Sequence, residues 1–288
     1  MSSLRGKTIL MSGGSRGIGL AVALRAARDG ANVALLAKTA EPHPKLENTV
    51  YSAAEKIERA SGRALPIAGD VRDDAAIARA VTETVERFGG IDICINNASA
   101  IDISPTAALE MKRYDLMQDV NVRGTFALSR ACIPHLQHAP NPHVLTMSPP
   151  LNLRPYWVGR HVGYTISKYG MSLCTLGMAE EFRAAGIAFN SLWPQTSIAT
   201  AAVRNRRGEE AMQGTRRPEI MADAAYLVLT RPSRECTGNF FIDEQVLREA
   251  GVTDFDQYRY GGAEHPLTRD FYLDGPPHQI SDLAGAPD

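Results

Sequence analysis

The chain has 288 residues, 44% of them hydrophobic, with a formal net charge of -1. That is enough apolar material for one large α/β domain or two small ones. It lacks the clustered basic face of an electrostatic nucleic-acid binder, and no apolar run is long enough to span a membrane.

The first predicted element is the strand "TILMSG", and the turn "SGGSRGIG" joins it to a helix, "GIGLAVALRAARDG", that stops at Gly30. Gly13, Gly17 and Gly19 in that turn allow a tight bend and close approach of a pyrophosphate to the helix N-terminus, where free N–H groups and the helix dipole favour an anion. Ser15, Arg16 and Ile18 lie between them and belong to the same candidate cofactor contact. An ordinary glycine-rich turn is the plainer alternative.

The strand "NVALLA" follows and ends at Lys38 rather than at an acid. An acid there would bond the ribose hydroxyls of NAD and repel a 2′-phosphate. Lys38, with Arg16 offering a fork of donors from the turn, points instead to NADP(H). The loop "TAEPHPKLENT" comes next and should border the adenosine end of the cofactor. Its His43 and Lys45 either extend a positive rim or are simply solvated.

Helix and strand then alternate. The helix "TVYSAAEKIERASG" leads to the strand "ALPIAGD", and the helix "DAAIARAVTETVERFG" to the strand "IDICINN". A long helix runs from about Lys112 to Leu136, followed by the strand "HVLTMS" and a helix from about Val162 to Ala184. The strand "IAFNSLWP", the helix "PEIMADAAYLVLT" and the strand "GNFFID" complete the series. This alternation predicts a parallel sheet with helices on both faces. The clusters "RNRRG" and "TRRP" read as solvated faces. Residues 244–288 hold several aromatics without a period and read as an extension packed on the domain, residues 1–243, or on a neighbouring subunit.

"YTISK" places Tyr164 and Lys168 four apart, on one face of a helix. A free tyrosine has a pKa of about 10, and a neighbouring ammonium would lower it toward a range useful for proton exchange. Ser148 ends the preceding strand, where parallel sheets place their ligand crevice, and its hydroxyl could hold a carbonyl oxygen. Asn121 in "VNVRGTF" is a candidate anchor for a proton-relaying water. Pro149, Pro150, Leu151, Leu153, Tyr156, Trp157 and Trp193 predict an apolar substrate mouth, or else fill the core or a subunit contact. The four cysteines, Cys94, Cys132, Cys174 and Cys236, are far apart and form no C-x-x-C pair. They fit a reducing, cytoplasmic location, and no metal site is expected.

From Lys7 to Asp243 these motifs resemble the short-chain dehydrogenase/reductase family. The resemblance implies a single Rossmann-type α/β domain, a doubly wound parallel sheet with helices on both faces. Asn121, Ser148, Tyr164 and Lys168 would be its catalytic tetrad. "DVRD" (Asp70, Val71) resembles the segment that contacts adenine. "NNAS" resembles the family's N-N-A-G and brings Asn97 and Ala98 to the cofactor. Thr196, Ile198 and Thr200 would be candidates for the nicotinamide carboxamide, with Gln195 where the family commonly has glycine. Ser12 stands where threonine is usual. Ser148 and Tyr164 are three positions further apart than in the family's usual spacing.

The expected activity is hydride exchange between NADP(H) and a carbonyl/alcohol pair on an apolar, lipid-like or steroid-like substrate. An NADP(H)-binding module without turnover and a carbon–carbon double-bond reductase are the alternatives. A homodimer or homotetramer is implied by the resemblance alone. The stretches "AKTAEPHPKL", "SPPLNL" and "TGNFFIDE" are similar to a subgroup that carries a sterol-carrier domain after the dehydrogenase part; no such domain is expected here.

Overall fold

The computed structural model describes residues 3–44 and 48–274. Seven strands form one parallel sheet in the order β3-β2-β1-β4-β5-β6-β7. They are β1 (Thr8–Ser12), β2 (Asn32–Ala37), β3 (Arg63–Ala68), β4 (Ile93–Asn96), β5 (His143–Thr146), β6 (Ala188–Trp193) and β7 (Phe240–Ile242). β1 and β2 are buried at every position, as expected of continuous apolar runs covered on both faces.

The helices are α1 (Gly17–Ala27), α2 (Val50–Arg59), α3 (Asp74–Phe88), α4 (Met111–Met117), α5 (Gly124–Leu136), α6 (Pro155–Arg160), α7 (Val162–Glu181), α8 (Ala201–Arg207), α9 (Glu219–Leu229) and α10 (Asp243–Glu249). Side chains alternate across each strand, so β1 sends Ile9 and Met11 to one side and Leu10 to the other. The first side packs against α1, α2, α9 and α10. The second packs against α3, α5 and α7.

The expected long helix runs from Met111 to Leu136, with a π-helical turn at Gln118–Arg123 that contains Asn121. Such turns insert one extra residue into a helix and commonly mark functional sites. The helices α6, α8 and α10 are additions to the sequence reading. Of the described residues past 243, Val246, Leu247, Phe255 and Tyr258 enter the main core.

The strand order reverses between β1 and β4. In an open parallel sheet this switch point opens a crevice at the carboxyl ends of the strands. The turn after β1, the end of β2 and the loop after β4 all meet there.

Candidate active site

The turn after β1 is built for close packing. Gly13 has φ +71°, and a Cβ on it would lie 2.8 Å from the Ala98 backbone. The Asn97 side chain donates to the Gly13 carbonyl at 2.8 Å. Ser12 uses its hydroxyl to join β1 to the loop after β4. Its Oγ accepts from the N–H groups of Asn97 and Ala98 at 3.3 and 3.2 Å. The first turn of α1 holds no acid, which leaves its N-terminus suited to an anion.

Beside this turn lies a cavity of about 850 Å3, within the size range of cofactor sites. Gly13, Ser15, Arg16, Gly17, Ile18, Lys38, Asp70, Val71, Asn97, Ala98 and Thr200, all expected at a cofactor, line it together. Gly19 packs behind it, where a Cβ would meet the Asn97 side chain at 2.6 Å. At the adenosine end the Arg16 guanidinium donates to the Thr39 hydroxyl. Lys38, 60% exposed, pairs with Asp70 at 3.3 Å. Burial opposes the charged form of Asp70, yet Arg72 and Lys38 outweigh it and draw its pKa down to about 2. The loop after β2 returns to where it began, since the Val50 N–H donates to the Thr39 carbonyl at 2.8 Å. His43 is exposed and lies outside the cavity lining, and Lys45 falls outside the described residues.

The catalytic candidates lie on the π-helical turn (Asn121), just past β5 (Ser148) and on α7 (Tyr164 and Lys168). Asn121 spends its side chain on structure. It exchanges hydrogen bonds of 2.7 and 2.9 Å with the Ala100 backbone and donates to Ser167 at 2.9 Å. This fixes the loop after β4 against α7. Ser148 departs from the expectation. Its hydroxyl is fully buried, 2.8 Å from the Ser191 Oγ, which itself donates to Thr175 at 3.0 Å. The hydroxyl therefore points into the space between the sheet and α7, away from any carbonyl in the crevice.

Tyr164 and Lys168 share a face of α7 as expected, but they do not form the expected coupled pair. The Lys168 ammonium donates to the Met147 carbonyl at 2.6 Å and to the Met171 sulfur at 3.2 Å, and it sits 5.2 Å from the centre of the Trp193 ring. Burial lowers its pKa to about 7, against a partial upward pull from Asp270. Tyr164 moves the opposite way from the sequence reading. Burial pushes the phenol well above its ordinary range, and Tyr272 and Asp270 add to this while Arg206 opposes it.

Residues 271–273 contribute to that burial. The Phe271 ring lies 6.4 Å from that of Tyr164, and Tyr272 packs on Trp157, Tyr169 and Trp193. Trp157 and Trp193 thus gather with Tyr164 in one apolar cluster, with Leu151 at its edge. Pro149 is buried outside that cluster, its carbonyl accepting from Ser172 at 2.6 Å. Leu153 and Tyr156, expected at the mouth, face solvent instead at 74% and 53% exposure.

Thr196 is fully buried, and its Oγ1 has no hydrogen-bond partner among the described residues. Its place after β6 suits a polar group of a bound cofactor. Ile198 sends its side chain into the main core, which leaves only its backbone for such a contact. Gln195 is structural: its N–H donates to the buried Asp243 at 2.8 Å and its carbonyl accepts from Asp270 at 3.1 Å.

Sequence reasoning missed Arg206, read there as one of a solvated cluster. With Asp102, Ser104 and Arg113 it lines a second cavity of about 430 Å3. It also missed Asp270, Phe271 and Tyr272, whose only signal was the aromatic density of the tail. Among the described residues no group of three or more His, Cys, Asp or Glu could hold a metal, and no helix is long and apolar enough to cross a membrane.

Residues 7–211 match a family model described as short chain dehydrogenase. Hydroxysteroid dehydrogenase-like protein 2 from Danio rerio is 54% identical over 277 residues, 96% of this chain and 66% of that protein, so the chain spans just under two thirds of that relative's length. Two crystal structures are similar throughout. A short chain dehydrogenase from Mycobacterium thermoresistibile is 57% identical with a TM-score of 0.90, over 96% of this chain and 99% of its own. A chain from Xanthomonas campestris is 52% identical with a TM-score of 0.92, over 95% of this chain and 100% of its own.

Proposed function

The chain belongs to the short-chain dehydrogenase/reductase family, and from that premise we propose that it is an NADP(H)-dependent oxidoreductase that interconverts a carbonyl and an alcohol on an apolar substrate. The observation that carries this reading is a cofactor-sized cavity that adjoins a buried aromatic cluster, with Ala100 belonging to both. The cavity is lined by the glycine cradle and its cations, and Tyr164 belongs to the aromatic cluster beside it.

The residues fit a dinucleotide. The α1 N-terminus and the Gly13–Gly19 turn would hold its pyrophosphate, Arg16 and Lys38 its 2′-phosphate, Asp70 and Val71 its adenine, and Thr196 its carboxamide. When bound, such a cofactor gives or takes the hydride; the chain manages the proton. Tyr164 delivers its phenolic proton to the substrate carbonyl oxygen and recovers it in the reverse direction. Lys168, 2% exposed on the same helix face, is the residue that would hold the nicotinamide ribose. Asn121 holds the loop after β4, whose Ala100 belongs to both the cavity and the cluster.

Tyr164→Phe tests the assignment. Carbonyl reduction falls by about a thousandfold while NADPH binding, followed by fluorescence, survives. A binding module without turnover is the competing reading, and the deep burial of Tyr164 is the observation in its favour. It gains if the wild type reduces no carbonyl compound in a broad panel. Cofactor choice is tested at Lys38→Asp, which should weaken NADPH roughly ten- to hundredfold and NADH far less. Equal losses would show that Lys38 does not face the phosphate. The four cysteines are free, which suits a reducing cytoplasm.

A further inference from the structure

We propose that residues 267–274 form a strap that closes the substrate side of the catalytic pocket, and that Phe271 and Tyr272 on it determine which substrates reach Tyr164. The proposal rests on the assignment of Tyr164 above and deepens it.

The strap is held at three places. Its start pairs with the loop after β6: the Ser197 N–H donates to the Thr268 carbonyl at 2.9 Å, and the Asp270 N–H to Gln195. At its middle the Trp193 indole donates to the Phe271 carbonyl at 3.0 Å. Its end is latched to the lengthened segment between Ser148 and Tyr164. Asp274 accepts from the Trp157 indole at 2.9 Å and from Asn152 at 2.8 Å, and pairs with Arg154 at 2.9 Å. The additional residues of that segment therefore act as the strap's keeper.

The closed strap is incompatible with turnover. Tyr164 is 5% exposed, and the space above it is filled by strap side chains. A carbonyl oxygen must come within about 3 Å of the phenol to take its proton, so Phe271 and Tyr272 have to leave or slide. Opening is feasible because the latch is on the surface: Asp274 is 45% exposed, and exposed ion pairs hold weakly. Tyr272 also has φ +67°, a conformation that a bulky residue keeps only while its surroundings impose it. Lifting the strap removes those surroundings. It uncovers Met117, Trp157, Tyr169, Trp193 and Ile242, an aromatic and apolar lining. The substrate class that fits is a carbonyl compound with a flat apolar body that replaces the Phe271 and Tyr272 rings.

The experiment uses the full chain and the variants Phe271→Ala, Asp274→Ala and Tyr164→Phe. Phe271→Ala should raise kcat/KM for bulky aromatic ketones over small ones by about tenfold, with NADPH affinity unchanged. The chain's two tryptophans both donate to the strap, so intrinsic fluorescence reads its position directly. Asp274→Ala should shift emission to the red and speed amide exchange at Ser197 and Asp270. If Tyr164→Phe keeps the wild-type rate, the assignment of Tyr164 is what fails. An unchanged ratio of bulky to small ketones in Phe271→Ala, with emission and amide exchange unmoved in Asp274→Ala, overturns the strap.

Discussion

The hydroxyl of Ser148 lies two residues past the end of β5, where consecutive side chains point to opposite sides. One side leads to the crevice and the other to the core, and Ser148 takes the core side. A donor to a developing oxyanion is worth about a hundred- to a thousandfold in rate. A buried hydroxyl pair is worth about 1 kcal/mol of stability. Ser148→Ala is therefore expected to lower the melting temperature by a few degrees and to change kcat by less than about tenfold, the size of effect left when no oxyanion donor is lost. A loss of several hundredfold would restore the hydroxyl to the crevice. The Tyr164–Lys168 spacing was legible in the sequence because helical geometry alone puts residues four apart on one face. The direction of Ser148 was not legible, because one residue of register past a strand end reverses it. The pKa of Tyr164 was hidden for a different reason: part of its burial comes from residues more than a hundred positions later in the chain.

Helices of three or more turns and fully buried strands announce themselves by period and apolar run, and each of those expected here is present. The unread helices α6, α8 and α10 have six, seven and seven residues, too short to display a period. One of them matters for the site. Asp243, the first residue of α10, is completely buried and holds the Gln195 N–H, and so sets the loop on which the strap docks. Burial raises its pKa to about 7, only partly offset by two backbone N–H groups and Arg216. A carboxyl with a raised folded-state pKa favours folding most below its unfolded pKa of 3.8. It loses that contribution as pH rises toward and through about 7. The cost at pH 8 is on the order of a few kcal/mol. Asp243→Asn keeps an acceptor for the two N–H groups and cannot ionise. Its melting temperature should decline less between pH 5 and pH 8 than that of the wild type, as measured by thermal unfolding across that window. Parallel profiles would mean that Asp243 does not titrate in the fold.

Among the described residues, α5 and α7 together present an apolar face. Phe126 on α5 and Ile166, Leu173 and Leu176 on α7 are 51%, 46%, 56% and 45% exposed. The three α7 residues are spaced seven and three apart, as a single helical stripe requires. We propose that two copies of the chain meet across this face in a homodimer or homotetramer. Leu173→Glu should reduce the mass seen by light scattering to that of one chain, and an unchanged mass would place any assembly elsewhere. The glycine turn after β1 and the loop after β4 are synthesised long before the strap. At about 5–20 residues per second, roughly ten to fifty seconds separate Gly13 from Asp270 on the ribosome. The glycine turn thus waits for the rest of its own cavity, whose lining ends at Tyr260, and the wall over Tyr164 follows only a few residues later.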